Sequence, residues 1–183
     1  MAALIAGLAI FFAAHILAAG PARAALTGRL GEGGRKLFVT VFAFIGLGLI
    51  IWGKAIAPFS PVYDPPPAGR AIAMHAMPVA FVILAVTYVP GRLRRSLRHP
   101  MLLAILIWSG LHLLANGDAA SILLFGSFAL YVPASVWLAE RRGYLPPVAG
   151  AWRWDAFAVL VGAVAYFAVF RFHGVLFGPV LAG

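Results

Sequence analysis

Six apolar stretches, separated by short polar or basic connections, dominate the chain. They cover residues 2–19, 37–53, 72–89, 101–115, 119–139 and 156–177. About 20 apolar residues are enough for an α-helix to cross a bilayer. Helices are expected because lipid offers no partners to unpaired backbone groups. The pattern therefore predicts an all-α, polytopic integral membrane bundle of about six transmembrane helices, forming a single transmembrane domain over residues 1–183.

The fourth stretch, 101–115, is short for a membrane span and needs help from its flanks. The Asn-Gly-Asp sequence at 116–118 follows it and is a strong turn signal. Either Asp118 or Ser121 is suited to cap the next helix. Pro100 precedes the stretch, and the first position of a helix tolerates its missing N–H. These signals predict a tight helical hairpin from the fourth and fifth spans.

Composition excludes most other protein classes. Apolar residues make up 63% of the chain and charged residues only 10%, whereas soluble domains carry about 25% charged residues. A soluble globule of this size cannot bury so much apolar surface. There is no cysteine, which excludes disulfides, cysteine-bound zinc, iron–sulfur clusters and thiol nucleophiles.

The net charge of +9 indicates orientation. Eleven of the fourteen basic residues lie in connections on the side where the first stretch ends. They are Arg23, Arg29, Arg35, Lys36, Arg92, Arg94, Arg95, Arg98, Arg141, Arg142 and Arg153. Lys54, Arg70 and Arg171 lie on the other side. Because basic residues collect in cytoplasmic loops, both termini are predicted outside, in a multi-pass protein of the bacterial inner membrane. Nucleic-acid binding is not expected, since no basic helix face accompanies the charge.

The first stretch could be mistaken for a cleaved signal peptide, because Ala22-Arg23-Ala24 resembles a cleavage site. However, no Lys or Arg precedes it and several follow it, which is the reverse of a signal peptide. We interpret it as an uncleaved membrane helix.

Candidate chemistry is confined to five histidines. The five acids fall in connections or at the ends of stretches, and the chain has no phosphate-binding loop and no nucleophile elbow. Polar side chains at membrane depth are rare and are functional candidates by default. Neutral imidazole is also a common metal ligand. The candidates are His15, His75, His99, His112 and His173.

His15 and His99 are expected at a similar depth. His15 lies near the end of the first stretch, and His99 precedes the fourth, which begins on the same side. On antiparallel helices they could hold a metal centre between them. If that centre were haem, its propionates would need cations near the interface. Such cations are close in sequence, although the positive-inside rule expects them there in any case: Arg92, Arg94, Arg95 and Arg98 near His99, and Arg23 near His15. The alternative is structural: His99 at the helix start and His15 in a helix–helix hydrogen bond. Spacing alone favours the structural alternative.

His112 has two interpretations. It shares a helix face with Trp108, four residues before it, and Asn116, four residues after it. It could pack the helical hairpin against its neighbours, or it could line a second site with His75 and His173. Spacing favours packing.

Three segments resemble the NnrU family of bacterial membrane proteins. They are RHPML at 98–102, WSGLHLLANGD at 108–118 and LFG at 124–126. The family is named from a nitrite and nitric oxide reduction gene context and includes the plant 15-cis-zeta-carotene isomerase. The likeness covers an NnrU-like core of about 1–138, with His15 matching the histidine of the family's first span, and 156–177 as an additional helix.

The resemblance implies haem b with histidine axial ligands. Carried over by motif, His15 and His99 form the ligand pair and His112 is a third functional histidine. It implies redox or isomerase-type chemistry, or support of nitrogen-oxide respiration, with a hydrophobic small molecule or a respiratory protein as partner in the bilayer. The alternative is a non-catalytic accessory protein for a respiratory complex.

Overall fold

Seven α-helices make up most of the computed structural model, which describes residues 1–20 and 22–177. They are α1 (Ala2–Ala19), α2 (Arg23–Ala55), α3 (Gly69–Val86), α4 (Arg92–Ser96), α5 (Pro100–Ala115), α6 (Ala119–Arg141) and α7 (Trp152–Phe177). Each of the six predicted stretches has its own helix, although α3 ends at Val86, three residues before the third stretch does. Helix α4 is a short extra turn between α3 and α5.

Four of the described helices, α2, α3, α6 and α7, are long and apolar enough to cross a membrane. The apolar helices α1 and α5 are shorter. The all-helical, multi-pass membrane fold predicted from the apolar stretches is therefore confirmed.

The basic segment between the first two stretches differs from a simple connection, because it is helical. Helix α2 begins at Arg23, well before the apolar stretch at 37–53. It is broken at Gly31, whose φ of 70° and ψ of 171° are not helical. Glycine adopts a positive φ at little cost because it has no Cβ. The basic segment is thus helical on both sides of Gly31 and continues into the second span.

The chain forms two compact units, Met1–Ser60 and Pro61–Gly183. In the first unit α1 packs along α2 through small residues. A Cβ on Gly7 would meet the amide nitrogen of Ile50 at 2.7 Å, and one on Gly46 would meet the carbonyl oxygen of Gly7 at 2.9 Å. Such close backbone approach is typical of helix pairs in membranes. The guanidinium of Arg35 also donates to the carbonyl of Ala18 at 3.3 Å, which ties the part of α2 that follows Gly31 to the end of α1.

In the second unit α3 packs against α5 and α7, and α6 packs against α5. Gly162 of α7 lies against the backbone of Val82. Tyr166 of α7 donates its hydroxyl to the carbonyl of Met74 at 2.9 Å. These contacts hold α7, the last helix, on α3.

The predicted hairpin of α5 and α6 is confirmed in its details. Pro100 is the first residue of α5. Asp118 is the N-cap of α6, and its carboxylate accepts from the amide of Ser121 at 3.0 Å. The turn is also closed from outside by Tyr63, whose single hydroxyl proton is shared between the carbonyls of Leu113 and Asn116. The position of α5 relative to α6 is therefore held at this end by backbone and side-chain hydrogen bonds.

Candidate histidine sites

His15 is a partly buried residue in the last two turns of α1. Its Nδ1 lies 2.7 Å from the carbonyl oxygen of Phe11, and its ring stacks on the Phe11 ring at 4.3 Å between centroids. A carbonyl can only accept, so Nδ1 carries the proton. The lone pair is then on Nε2, which is the usual state of a metal-binding histidine.

His99 is held by a different kind of contact. It occupies the N-cap position of α5, but its side chain makes no capping hydrogen bond. Instead its Nε2 lies 2.7 Å from Oε1 of Glu140, at the end of α6, and its ring packs on Tyr144 at 4.4 Å. The ring is 15% exposed. The position at the start of the helix expected from the sequence is found, and the partner of the imidazole is a carboxylate.

Arg98 completes this cluster. Its guanidinium donates to both carboxylate oxygens of Glu140 at 2.9 Å, and its carbonyl accepts from the hydroxyl of Tyr144 at 2.8 Å. Its φ of 54° lies in the left-handed region, which is strained for a residue with a side chain. The surrounding hydrogen bonds hold this strained residue in place.

His112 lies in the last turn of α5 among aromatic rings. Its Nδ1 lies 2.8 Å from the carbonyl oxygen of Trp108, so Nε2 carries the lone pair as in His15. Its ring stacks on the buried Phe125 of α6 at 4.3 Å. The side-chain amide of Asn116 donates to its carbonyl at 2.9 Å. The predicted face of Trp108, His112 and Asn116 is thus connected by hydrogen bonds as well as by spacing.

The structure also brings His112 near His173 of α7. The ring centroids are 6.5 Å apart and the planes differ by 19°. His75 has a different setting, because it is exposed on α3 and bonds through Nδ1 to the carbonyl of Ala71. Across residues 1–20 and 22–177, no three His, Cys, Asp or Glu side chains are arranged to hold a metal ion. His112 therefore packs within the hairpin, against Phe125, and also lies beside His173, so both the packing interpretation and the second-site interpretation still apply.

His99 and His112 are at opposite ends of α5. Thirteen residues separate them, which corresponds to about 20 Å along a helix. Both axial ligands of a haem bond to one iron atom, so these two histidines cannot bind the same haem. A site that uses one of them excludes the other.

Two partners of these histidines were not anticipated from the sequence. Glu140 follows His99 by 41 residues, and Phe125 follows His112 by 13. The signal that could have identified Glu140 is the hairpin itself, because it returns the end of α6 towards the start of α5.

The two arginines predicted to meet haem propionates have different surroundings. Arg98 is paired with Glu140, whereas Arg95 is exposed on α4.

Comparison with known proteins decides the family. The sequence profile described as "NnrU protein" matches residues 3–180. The chain belongs to the NnrU family. The NnrU match extends through α7, beyond the segment over which the short motifs could be recognised. No curated protein and no solved structure matches the chain.

Proposed function

We propose that this NnrU protein is a multi-pass protein of the bacterial inner membrane that binds haem b through histidines. The proposed use is redox or isomerase-type chemistry, or support of nitrogen-oxide respiration. One observation carries the proposal: His112 sits among aromatic side chains with its Nδ1 bonded to a backbone carbonyl. That bond orients Nε2 as a ligand.

The residues present fit a histidine-ligated haem. A ligating histidine typically donates its other ring N–H to a carbonyl, which fixes the tautomer and makes the ligand more basic. His15, His75 and His112 all have this arrangement, but His75 is exposed whereas the other two are partly buried. Phe11 and Phe125 each stack on one of these rings, and aromatic surfaces of this kind suit a macrocycle.

Local bonding favours His112 over His99 as a ligand. The Nε2 atom of His99 is already bonded to Glu140, so metal binding at this atom would break that contact. The corresponding bond of His112 uses Nδ1. We therefore propose His112 as a haem ligand in the second unit. His15, in the first unit, is proposed as a ligand on separate grounds, since it matches the family histidine and has the same local bond. Each is chosen by its own hydrogen bonds.

Haem supplies electron transfer or a Lewis-acidic iron when it is bound. If two histidines held it, no coordination position would remain open, and electron transfer would be the direct use. A substrate would otherwise have to take the place of one histidine. In either case the chain's own task is to orient the imidazoles through the carbonyls of Phe11 and Trp108 and to exclude water with the aromatic rings.

The test is an absorption spectrum of protein purified from haem-supplied cells, oxidised and reduced. The proposal expects a Soret band that is lost in His15→Ala and in His112→Ala. His99→Ala and the exposed control His75→Ala should keep it. A colourless wild-type protein would overturn haem binding. Loss of the band in His99→Ala but not in His112→Ala would overturn the choice of ligand.

A non-catalytic accessory role is the second candidate. It is favoured by the way the polar residues after His112 are used within the fold: Asn116 bonds to the His112 carbonyl and Asp118 caps α6. This role predicts that His15→Ala changes neither spectrum nor metal content, while a respiratory partner protein co-purifies with both forms.

A further inference from the structure

Two connections lie side by side at one end of the second unit. They are the α3–α5 connection, which contains α4, and the α6–α7 connection, residues 142–151. The amide of Gly150 lies 3.5 Å from the carbonyl oxygen of Gly91. A Cβ on Gly150 would collide with the carbonyl of Pro90, so the two backbones are in direct contact. Together the connections form one continuous surface.

The acidic residues of this surface are occupied in holding it together. The carboxylate of Asp155, in the first turn of α7, accepts from the amides of Arg92 and Leu93, each at 3.1 Å. The carboxylate of Glu140 is taken by Arg98 and His99. Neither acid is left to neutralise the other arginines nearby.

Six arginines remain on this surface, and we call them the arginine face. They are Arg92, Arg94, Arg95, Arg141, Arg142 and Arg153. Five are exposed and Arg94 is partly buried. In the part of the chain that the structure describes, none of the six pairs with a carboxylate. This concentration of positive charge, without an internal carboxylate partner, attracts anions from outside the protein.

Exposed apolar side chains lie on the α6–α7 connection and at the start of α7. Leu145 is 84% exposed, Val148 85% and Trp152 68%. In addition, the guanidinium of Arg141 lies 4.0 Å from the ring centre of Trp137. A water-soluble polyanion such as RNA would account for the arginines but not for these apolar groups. The boundary between lipid headgroups and acyl chains accommodates both, since Trp and basic residues are enriched there.

We propose that the arginine face is a binding surface for the headgroups of acidic phospholipids, with Leu145, Val148 and Trp152 inserted just below them. The carboxylates of Glu140 and Asp155 shape the surface, because they fix the two connections without contributing free negative charge. Its ligand is the phosphate of an anionic lipid in the leaflet that surrounds this end of the second unit.

The test measures lipid retention by the full-length protein in mixed micelles of phosphatidylglycerol and phosphatidylcholine, by native mass spectrometry. The wild type should retain phosphatidylglycerol preferentially. The variant Arg94→Gln/Arg95→Gln/Arg142→Gln should lose at least roughly ten-fold of that preference, since each arginine near an acidic leaflet contributes about five-fold. The matched control is Lys54→Gln/Arg70→Gln/Arg171→Gln, which removes the same charge from the cations predicted on the opposite side, and it should keep the preference.

Circular dichroism and gel-filtration elution establish that both triple variants are folded. The variant Leu145→Ser/Val148→Ser is a second test, because it should weaken retention of phosphatidylglycerol without changing the charge of the protein. An equal loss of preference in the two triple variants would show a general charge effect and overturn the proposal. So would binding of an RNA oligonucleotide that needs the arginine face while lipid retention does not.

Discussion

The imidazole of His99 and the carboxylate of Glu140 lie 2.7 Å apart, Nε2 to Oε1, although 41 residues separate them in sequence. The contact joins the start of α5 to the end of α6. Because Arg98 binds the same carboxylate, one acid holds two basic neighbours at the open end of the hairpin. The other end of the hairpin is closed by Tyr63 and Asp118.

Replacing this acid should loosen the open end of the hairpin. Glu140→Gln removes the negative charge that faces Arg98 and His99, and it leaves the left-handed backbone of Arg98 with less support. We expect a lower Tm in detergent, followed by tryptophan fluorescence. Glu32→Gln is the control, because Glu32 pairs with Arg35 and Lys36 within its own helix. A Tm equally lowered in both variants would show that Glu140 has no special role.

Imidazole rescue should identify the ligand on α5. His112→Gly removes the ring and leaves space beside Phe125, so the haem absorbance should fall and then return when free imidazole is added. The variant His99→Gly should keep the haem absorbance without added imidazole, because Nε2 of His99 is hydrogen-bonded to Glu140. The measurement is the Soret band of the reduced protein during an imidazole titration. Rescue of His99→Gly alone would reverse the assignment of the ligand.

Closure of the α5–α6 turn should be sensitive to the size of residue 117. A Cβ on Gly117 would collide with the carbonyl oxygen of Tyr63, so Gly117→Ala should destabilise the fold by about 1–3 kcal/mol. Gly110→Ala is the matched control, because nothing lies within 4 Å of a Cβ there and alanine favours a helix. Thermal unfolding of the two variants compares them directly. Equal stability would mean that the turn shifts freely away from Tyr63.

Much of the fold follows from local features of the sequence. The length of each apolar stretch predicts a helix, since backbone groups in lipid must bond within their own segment. The hairpin follows from the Asn-Gly-Asp turn, with Asp118 as the cap and Pro100 at the start of α5. The full length of α2 was harder to predict from the sequence, because Gly31 interrupts the helix without ending it.

The partners of the histidines were not predictable in this way. Membrane helices are apolar on several faces, so the sequence pattern does not show which face meets a neighbour. His99 bonds to Glu140 and His112 stacks on Phe125 because of how far α5 and α6 rotate and slide against each other. Similarly, His112 and His173 approach to 6.5 Å only through the packing of α5, α3 and α7.

The sequence by itself thus determined the class of protein, the helices and the short set of residues able to carry chemistry. Apolar length and local capping act within one segment, so a linear pattern contains them. The tertiary structure decided how each imidazole is used: Nε2 of His99 faces a carboxylate, whereas Nδ1 of His112 faces a carbonyl. Which ring nitrogen carries the lone pair depends on the hydrogen-bond partner that packing brings to it.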